Sequence, residues 1–177
     1  HGFVGLLERV TDHLGPTSPD RRPRQRQWRV RARRLVLATG ALERPLVFCH
    51  NDRPGIMTCS AVSTYINRWA VTPGRRAVVF TNNDSAYQTA LDLDDHGVDV
   101  AAVVDVRPEP EGVLIDRVHK EEIPVLAGSA IIDTEGGHHV RGVKVMQLNA
   151  RGDGVYGEVR HLDCDLVCSS GGWNPVV

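Results

Sequence analysis

The sequence predicts an α/β fold built on a parallel sheet, and three observations carry that expectation. Arg76-Ala77-Val78-Val79-Phe80 is a short apolar run behind a Pro73-Gly74 turn. Asp84 to His96 spaces its apolar residues as a helix does and stops at Gly97. Val98 to Val104 is a second apolar run, ending at Asp105. Strand, helix and strand at this spacing need a crossover, and a crossover makes the two strands parallel. Val78, Val79, Val100, Val103 and Val104 are the expected core of that unit.

The other elements follow in order. Phe3 to Val10 reads as a strand, Thr11 to about Arg26 as a polar connection containing prolines, and Trp28 to Ala32 as an alternating strand. Arg34 to Gly40 reads as a buried strand entering a Gly turn. Two prolines between Arg44 and Ile56, Pro45 and Pro54, predict an irregular crossover. Thr58 to Trp69 predicts a helix, with Val62, Tyr65, Ile66 and Trp69 at helical spacing. After Asp105, a helix over Glu111 to Lys120 precedes short strands at Ile123 to Leu126 and Gly128 to Asp133. Glu135-Gly136-Gly137 turns a hairpin into Val140 to Leu148. Glu158 to Leu162 and Cys164 to Cys168 close the series, the last entering Ser169-Ser170-Gly171-Gly172.

Composition narrows the partners. Hydrophobic residues at 41% and charged residues at 24% describe a folded globular chain rather than a disordered one. Lys+Arg 21 against Asp+Glu 22 leaves no basic excess to track phosphates, so nucleic acid is not an expected partner. The basic cluster Arg21 to Arg26 reads as a solvated loop, or as a docking surface for an acidic partner. No apolar run approaches the roughly 20 residues of a membrane helix. Four cysteines without a CxxC pair suit reduced thiols in a cytoplasmic protein. A start without Met on a strand, and an end just past a Gly-Gly turn, read as an excerpt of a longer polypeptide.

Three places could carry chemistry. Leu35 to Gly40 and Cys164 to Gly172 are both strands that run into small-residue turns, where backbone can approach a ligand closely. Flavoproteins with two dinucleotide-binding domains leave the first domain after one such turn and return through another. The third place is Thr81-Asn82-Asn83-Asp84-Ser85-Ala86, where a dinucleotide fingerprint would put Gly at 81 and 83 and Gly or Ala at 86. Only Ala86 fits. Asp105, 22 residues after Asn83, stands where a ribose-binding carboxylate belongs, or is a solvated strand end. The turn reads as a Rossmann-like domain that has lost ordinary nucleotide binding, with retained or altered binding as the alternative. Cys49, His50 and Cys59 lack the spacing of a zinc site. Cys164 and Cys168, four apart, read as apolar filler on one side of a strand, and His138-His139 as exposed. No catalytic series is legible.

Five strings in order, ATGALERP (38–45), NDRPGIM (51–57), YINR (65–68), TNNDSAY (81–87) and SGGWNPVV (170–177), are similar to the alpha subunits of heterotetrameric sarcosine oxidases. The resemblance runs over nearly the whole chain. It implies a subunit of roughly a thousand residues with a first dinucleotide-binding domain, a Rossmann-like domain inserted in it, and a folate-binding domain. It also implies NAD in the alpha subunit, FAD and covalent FMN in the beta subunit and its interface, and tetrahydrofolate in a domain this sequence does not contain. Beta, gamma and delta subunits complete the implied complex, which turns sarcosine and oxygen into glycine, a one-carbon unit and hydrogen peroxide. The positions carried over to NAD are Ala38, Thr39, Gly40, Glu43, Arg44, Pro45, Gly171, Gly172 and Asn174. Leu42 departs from the His expected there.

The expected organisation is therefore α/β, Rossmann-like, of the disulfide-reductase-like type with two dinucleotide-binding domains. Residues 1–45 are expected to end the first domain, 46–162 to form the inserted domain with its hairpin, and 163–177 to return into the first. The chain alone is expected not to be catalytic. Related proline or amine dehydrogenase subunits, a stand-alone pyridine-nucleotide reductase, and a non-catalytic scaffold are the alternatives.

Overall fold

The computed structural model describes residues 2–17, 19 and 21–176. The chain divides into two compact units, one ending at Gly40 and one spanning Ala41–Val176. In the first, β1 (Phe3–Arg9) pairs antiparallel with β2 (Gln25–Arg31), from Phe3 opposite Arg31 to Arg9 opposite Gln25. A short 3₁₀ segment, Asp12–Thr17, joins them. The expected basic loop is partly structured, because Arg24 donates to Asp12 at 2.6 Å and Arg26 to Glu8 at 3.0 Å. A two-stranded ribbon has no buried face of its own, and nearly every residue here is exposed.

The buried strand expected over Arg34–Gly40 is not one. No described strand pairs with the segment, and Leu35, Val36 and Leu37 are 61%, 86% and 59% exposed. An apolar run becomes a buried strand only where neighbours complete its ladder and cover its faces.

The second unit holds the parallel sheet. After β3 (Ala41–Glu43) come β4 (Ile56–Thr58), α1 (Cys59–Trp69), β5 (Arg76–Thr81), α2 (Ser85–Asp95), β6 (Asp99–Asp105), α3 (Val113–Lys120) and β7 (Val125–Leu126). The chain continues through β8 (Ser129–Glu135), β9 (Gly142–Leu148), β10 (Val155–Asp163), β11 (Leu166–Ser170) and β12 (Trp173–Pro175). The five-stranded sheet runs β4-β11-β5-β6-β7, every pairing parallel. Strands β8, β9 and β10 form a separate antiparallel sheet, and β12 pairs with β3.

Alternation along the central strands builds a core on each face of the sheet. Ala77, Val79, Val103, Leu166 and Cys168 join Val62, Ile66, Leu93, Ile115 and Val118 of the helices. Val78, Phe80, Val104 and Val167 join Phe48 with Ile131, Val143 and Val145 of the antiparallel sheet. All five valines expected in the core are buried. Each contributes about 1.5–3 kcal/mol relative to exposure. Helix α2 ends as expected at Gly97, with Val98 N–H donating to Leu93 O at 3.0 Å in a Schellman-type closure. On α1, Val62 and Ile66 face the core, whereas Tyr65 and Trp69 stay exposed and meet edge to face at 5.2 Å.

Two expectations about the last strand are corrected. The strand expected to return into the first domain lies between β4 and β5 of this unit's own sheet, with Leu166 opposite Ala77 and Ser170 opposite Thr81. Burial on both faces, with helices on one and a second sheet on the other, stabilises it there. Cys164 and Cys168 do not share a side: Cys164 precedes the strand and joins the Val167 core, and Cys168 joins the helix-side core. Among the described residues, no helix is long and apolar enough to cross a membrane.

Candidate functional site

The carboxyl ends of β4, β5, β6 and β11 share one edge of the parallel sheet, the edge at which open α/β sheets hold ligands. Two turns leave this edge side by side. The turn from β5 into α2 is filled with its own side chains. Asn83 N–H donates to Thr81 Oγ1 at 3.0 Å, and Asn83 Nδ2 donates to Ser170 Oγ at 3.0 Å. Ser85 Oγ donates to Asn83 Oδ1 at 2.6 Å. Ala86 is fully buried. The TNNDSAY string is thus a network that ties β5 and α2 to the end of β11.

The second turn, Gly171-Gly172, brings main chain against main chain. Gly171 N–H donates to Arg44 O, and Arg44 N–H to Gly172 O at 2.9 Å. A side chain at Gly171 would start 3.0 Å from Arg44 O and 3.2 Å from Pro45 O, so only glycine fits without a shift. Gly172 has φ +98°, which glycine adopts without strain, and nothing lies within 4 Å of a side chain built on it. Beyond it, Trp173 pairs with Glu43, Asn174 with Leu42 and Pro175 with Ala41. Trp173 Nε1 donates to Ser85 Oγ at 3.1 Å.

Six of the nine positions carried over to NAD therefore come together: Glu43, Arg44 and Pro45 at the end of β3 and just past it, and Gly171, Gly172 and Asn174 from the turn after β11 into β12. Ala38, Thr39 and Gly40 belong to the first unit, are exposed, and include a φ of +82° at Gly40. Glu43 has a role the sequence did not suggest. Its Oε2 accepts the Ser60 N–H at 2.7 Å in the first turn of α1, where Thr58 supplies no side-chain cap. Its Oε1 is buried without a hydrogen-bond partner.

None of the three buried thiols is poised for chemistry. Burial, reinforced by the negative charges of Asp165 and Asp163, pushes the Cys164 thiol up to about 12. Burial also pushes Cys59 and Cys168 well up, so both stay protonated at neutral pH. Cys49 is exposed. His50, next to Cys49, bonds Asp133 Oδ1 at 2.8 Å, and that hydrogen bond holds the Asp133 carboxyl below its usual range. Among the described residues, no cluster of His, Cys, Asp or Glu could hold a metal. His138 and His139 are exposed, as expected.

No family model matches the chain. It is 39% identical over 175 residues to sarcosine oxidase subunit alpha of Corynebacterium sp. (strain P-1), covering 99% of this chain and 18% of that protein. It is 35% identical over 173 residues to the subunit of the same name in Rhizobium meliloti (strain 1021), covering 98% and 16%. The chain thus spans less than a fifth of the length of these relatives. Among solved structures, T. acidophilum thioredoxin reductase matches with TM-score 0.59 at 18% identity, over 77% of this chain and 43% of that one. L-proline dehydrogenase from P. horikoshii matches with TM-score 0.51 at 23% identity, over 84% and 23%. At such identities the structures establish the fold, that of flavoproteins with two dinucleotide-binding domains. Along nearly its whole length, then, the chain is a relative of one segment of the sarcosine oxidase alpha subunits, on a Rossmann-like α/β fold.

Proposed function

We propose that this chain is the part of a sarcosine-oxidase-type alpha subunit that joins a Rossmann-like domain to a first dinucleotide-binding domain. The observation that carries the reading is the match of 98–99% of the chain to subunits of one name. Residues 1–45 and the stretch beyond β11 serve the first domain, and the sheet between them is the inserted one. The complete enzyme oxidises sarcosine, a secondary amine, with oxygen and water to glycine, a one-carbon unit and hydrogen peroxide. Beta, gamma and delta subunits, FAD, FMN and tetrahydrofolate belong to that complex, and the chain alone does not turn over substrate.

NAD is the group we propose for the residues at hand, and it would supply a dinucleotide able to carry hydride or to act as a structural ligand. Gly172, open and at positive φ, fits close backbone approach by a pyrophosphate, and Gly40 has the same two properties in its own unit. Gly171 does not offer its face, because Arg44 and Pro45 carbonyls already fill that side. In the second unit Arg44 supplies a positive charge, and Asn174 and the Pro45 carbonyl supply hydrogen-bonding groups; in the first, Thr39 and the backbone of Ala38 supply theirs. Glu43 acts by holding the start of α1 in place.

The test is the NAD content of the intact alpha subunit, measured after denaturing release. Gly40→Val should lower it at least tenfold, because a β-branched residue tolerates positive φ poorly. Asn83→Val, in the other turn, should leave it unchanged. Retained NAD in the first variant together with lost NAD in the second would move the site to β5–α2 and overturn the assignment.

A further inference from the structure

In a dinucleotide fold, the acid ending the second strand of the βαβ unit bonds the ribose, and the start of the intervening helix holds the pyrophosphate. In this chain those two positions belong to Asp105 and to the residues around Asp84. Asp105 is fully buried, and its oxygens are taken up by neighbours in the chain. Tyr87 Oη donates to Oδ2 at 2.8 Å. The Arg107 backbone N–H donates to Oδ1 at 2.8 Å. The Arg107 guanidinium adds Nη2 to Oδ2 at 2.8 Å and Nε to Oδ1 at 3.1 Å. Its remaining Nη1 reaches Asp84 Oδ1, at the N-cap of α2, at 2.6 Å.

We infer that Arg107 is a built-in occupant of the ribose position and closes this Rossmann-like unit to adenine nucleotides. The guanidinium spans a carboxylate at each of the two places where a nucleotide would bind. A ribose could reach Asp105 only by displacing the guanidinium from a buried anion, which would strand that anion. A phosphate would meet the Asp84 carboxylate, a like charge, in front of a turn whose glycine positions carry Thr81 and Asn83. Arg107 is thereby the residue that determines where in the subunit a nucleotide can bind. The inference deepens the proposal that NAD is held outside β5–α2–β6, and it rests on that reading only for the location of the other site.

The experiment uses the intact alpha subunit in its complex, saturated with NAD, and the photoreactive probe 8-azido-AMP. Labelled peptides are located by mass spectrometry. In the wild type no label should appear in peptides from residues 76–107. The paired substitution Asp105→Asn with Arg107→Ala removes both charges together, leaving an amide that can still bond a ribose hydroxyl. It should raise labelling of those peptides at least tenfold. Label on residues 76–107 in the wild type overturns the inference, and so does a folded paired variant that gains none. Should the paired variant fail to fold, the wild-type result decides: unlabelled peptides support closure, labelled ones refute it. Failure of the functional reading is separate, since it shows as wild-type complex purified without NAD.

Discussion

The two turns at the carboxyl edge of the sheet leave adjacent, directly paired strands and solve opposite problems. The turn after β5 has no glycine and is closed by side chains, with Asn83 bonded to Ser170 and Arg107 drawn across to Asp84. The turn after β11 has two glycines, and main-chain carbonyls stand where a Gly171 side chain would begin. Glycine therefore stands where two main-chain segments cross, and polar side chains accumulate where a dinucleotide fold would keep bare backbone. A Gly-rich turn beside a sheet is thus not by itself a cofactor turn, and its crossing partner has to be identified first.

The sharpest way to break the comparison is Arg107→Ala. It leaves the Asp105 carboxylate buried with only the Tyr87 hydroxyl and the backbone N–H of residue 107 as donors, and should cost about 3 kcal/mol, toward the low end for a broken buried pair because Arg107 is partly in water. Removing both charges with Asp105→Asn and Arg107→Ala should cost clearly less. Thermal unfolding of the intact subunit checks the order, and equal losses would show that the pair is not coupled.

Next in size is Gly171→Ala. The added carbon meets two backbone carbonyls, which cannot rotate away as a side chain could, so the crossing must shift at about 2 kcal/mol. Gly172→Ala meets nothing and pays only the left-handed backbone strain, about 1 kcal/mol. Equal melting temperatures for the two variants would show that the crossing is loose.

Glu43→Ala sharpens the role of the segment that crosses Gly171. Loss of the Ser60 N–H acceptor should cost about 1 kcal/mol, as for a lost helix cap. NAD content measured in the same variant separates the roles of that side chain. Retained NAD with a lowered melting temperature is expected if Glu43 acts only by holding α1.

How much of this was legible follows from how local each signal is. The βαβ unit could be read because its apolar periods, its Pro73-Gly74 turn and its Gly97 stop all lie within about thirty residues. The place of β11 could not. Leu166 to Ser170 reads the same in any parallel sheet, and its partners β4 and β5 come from far earlier in the chain. Asp105 stands at a recognisable distance from the turn, but nothing local marks Arg107, two residues further on. Only the fold turns its guanidinium back onto the strand end and onto Asp84. The Glu43 cap was hidden for a similar reason, since the helix it serves starts sixteen residues later. In Leu35 to Leu37 the sequence signal was strong and misleading, because composition reports readiness to be buried, not the presence of a partner strand.

The smallest expected effect lies in the side-chain-filled turn and has a pH signature. Tyr87→Phe removes one donor from Asp105 while the Arg107 bonds remain, so at neutral pH it should cost about 0.5 kcal/mol. The phenol is held protonated in the fold, first by burial and then by the negative charge of Asp105, so its pKa lies well above the ordinary value of 10.0. Below pH 10 the phenol is protonated in both folded and unfolded chains, and this contribution to stability is fully present. As pH rises past the unfolded value, the unfolded chain releases the proton while the folded chain keeps it. Stability then falls with rising pH. Phenylalanine has no such proton, so the wild type should lose its advantage over the variant as pH climbs above 10, and the two melting curves should cross. Parallel curves up to pH 11 would mean that Tyr87 is not closed in against Asp105, and the side-chain-filled turn would then be more open than the glycine turn beside it.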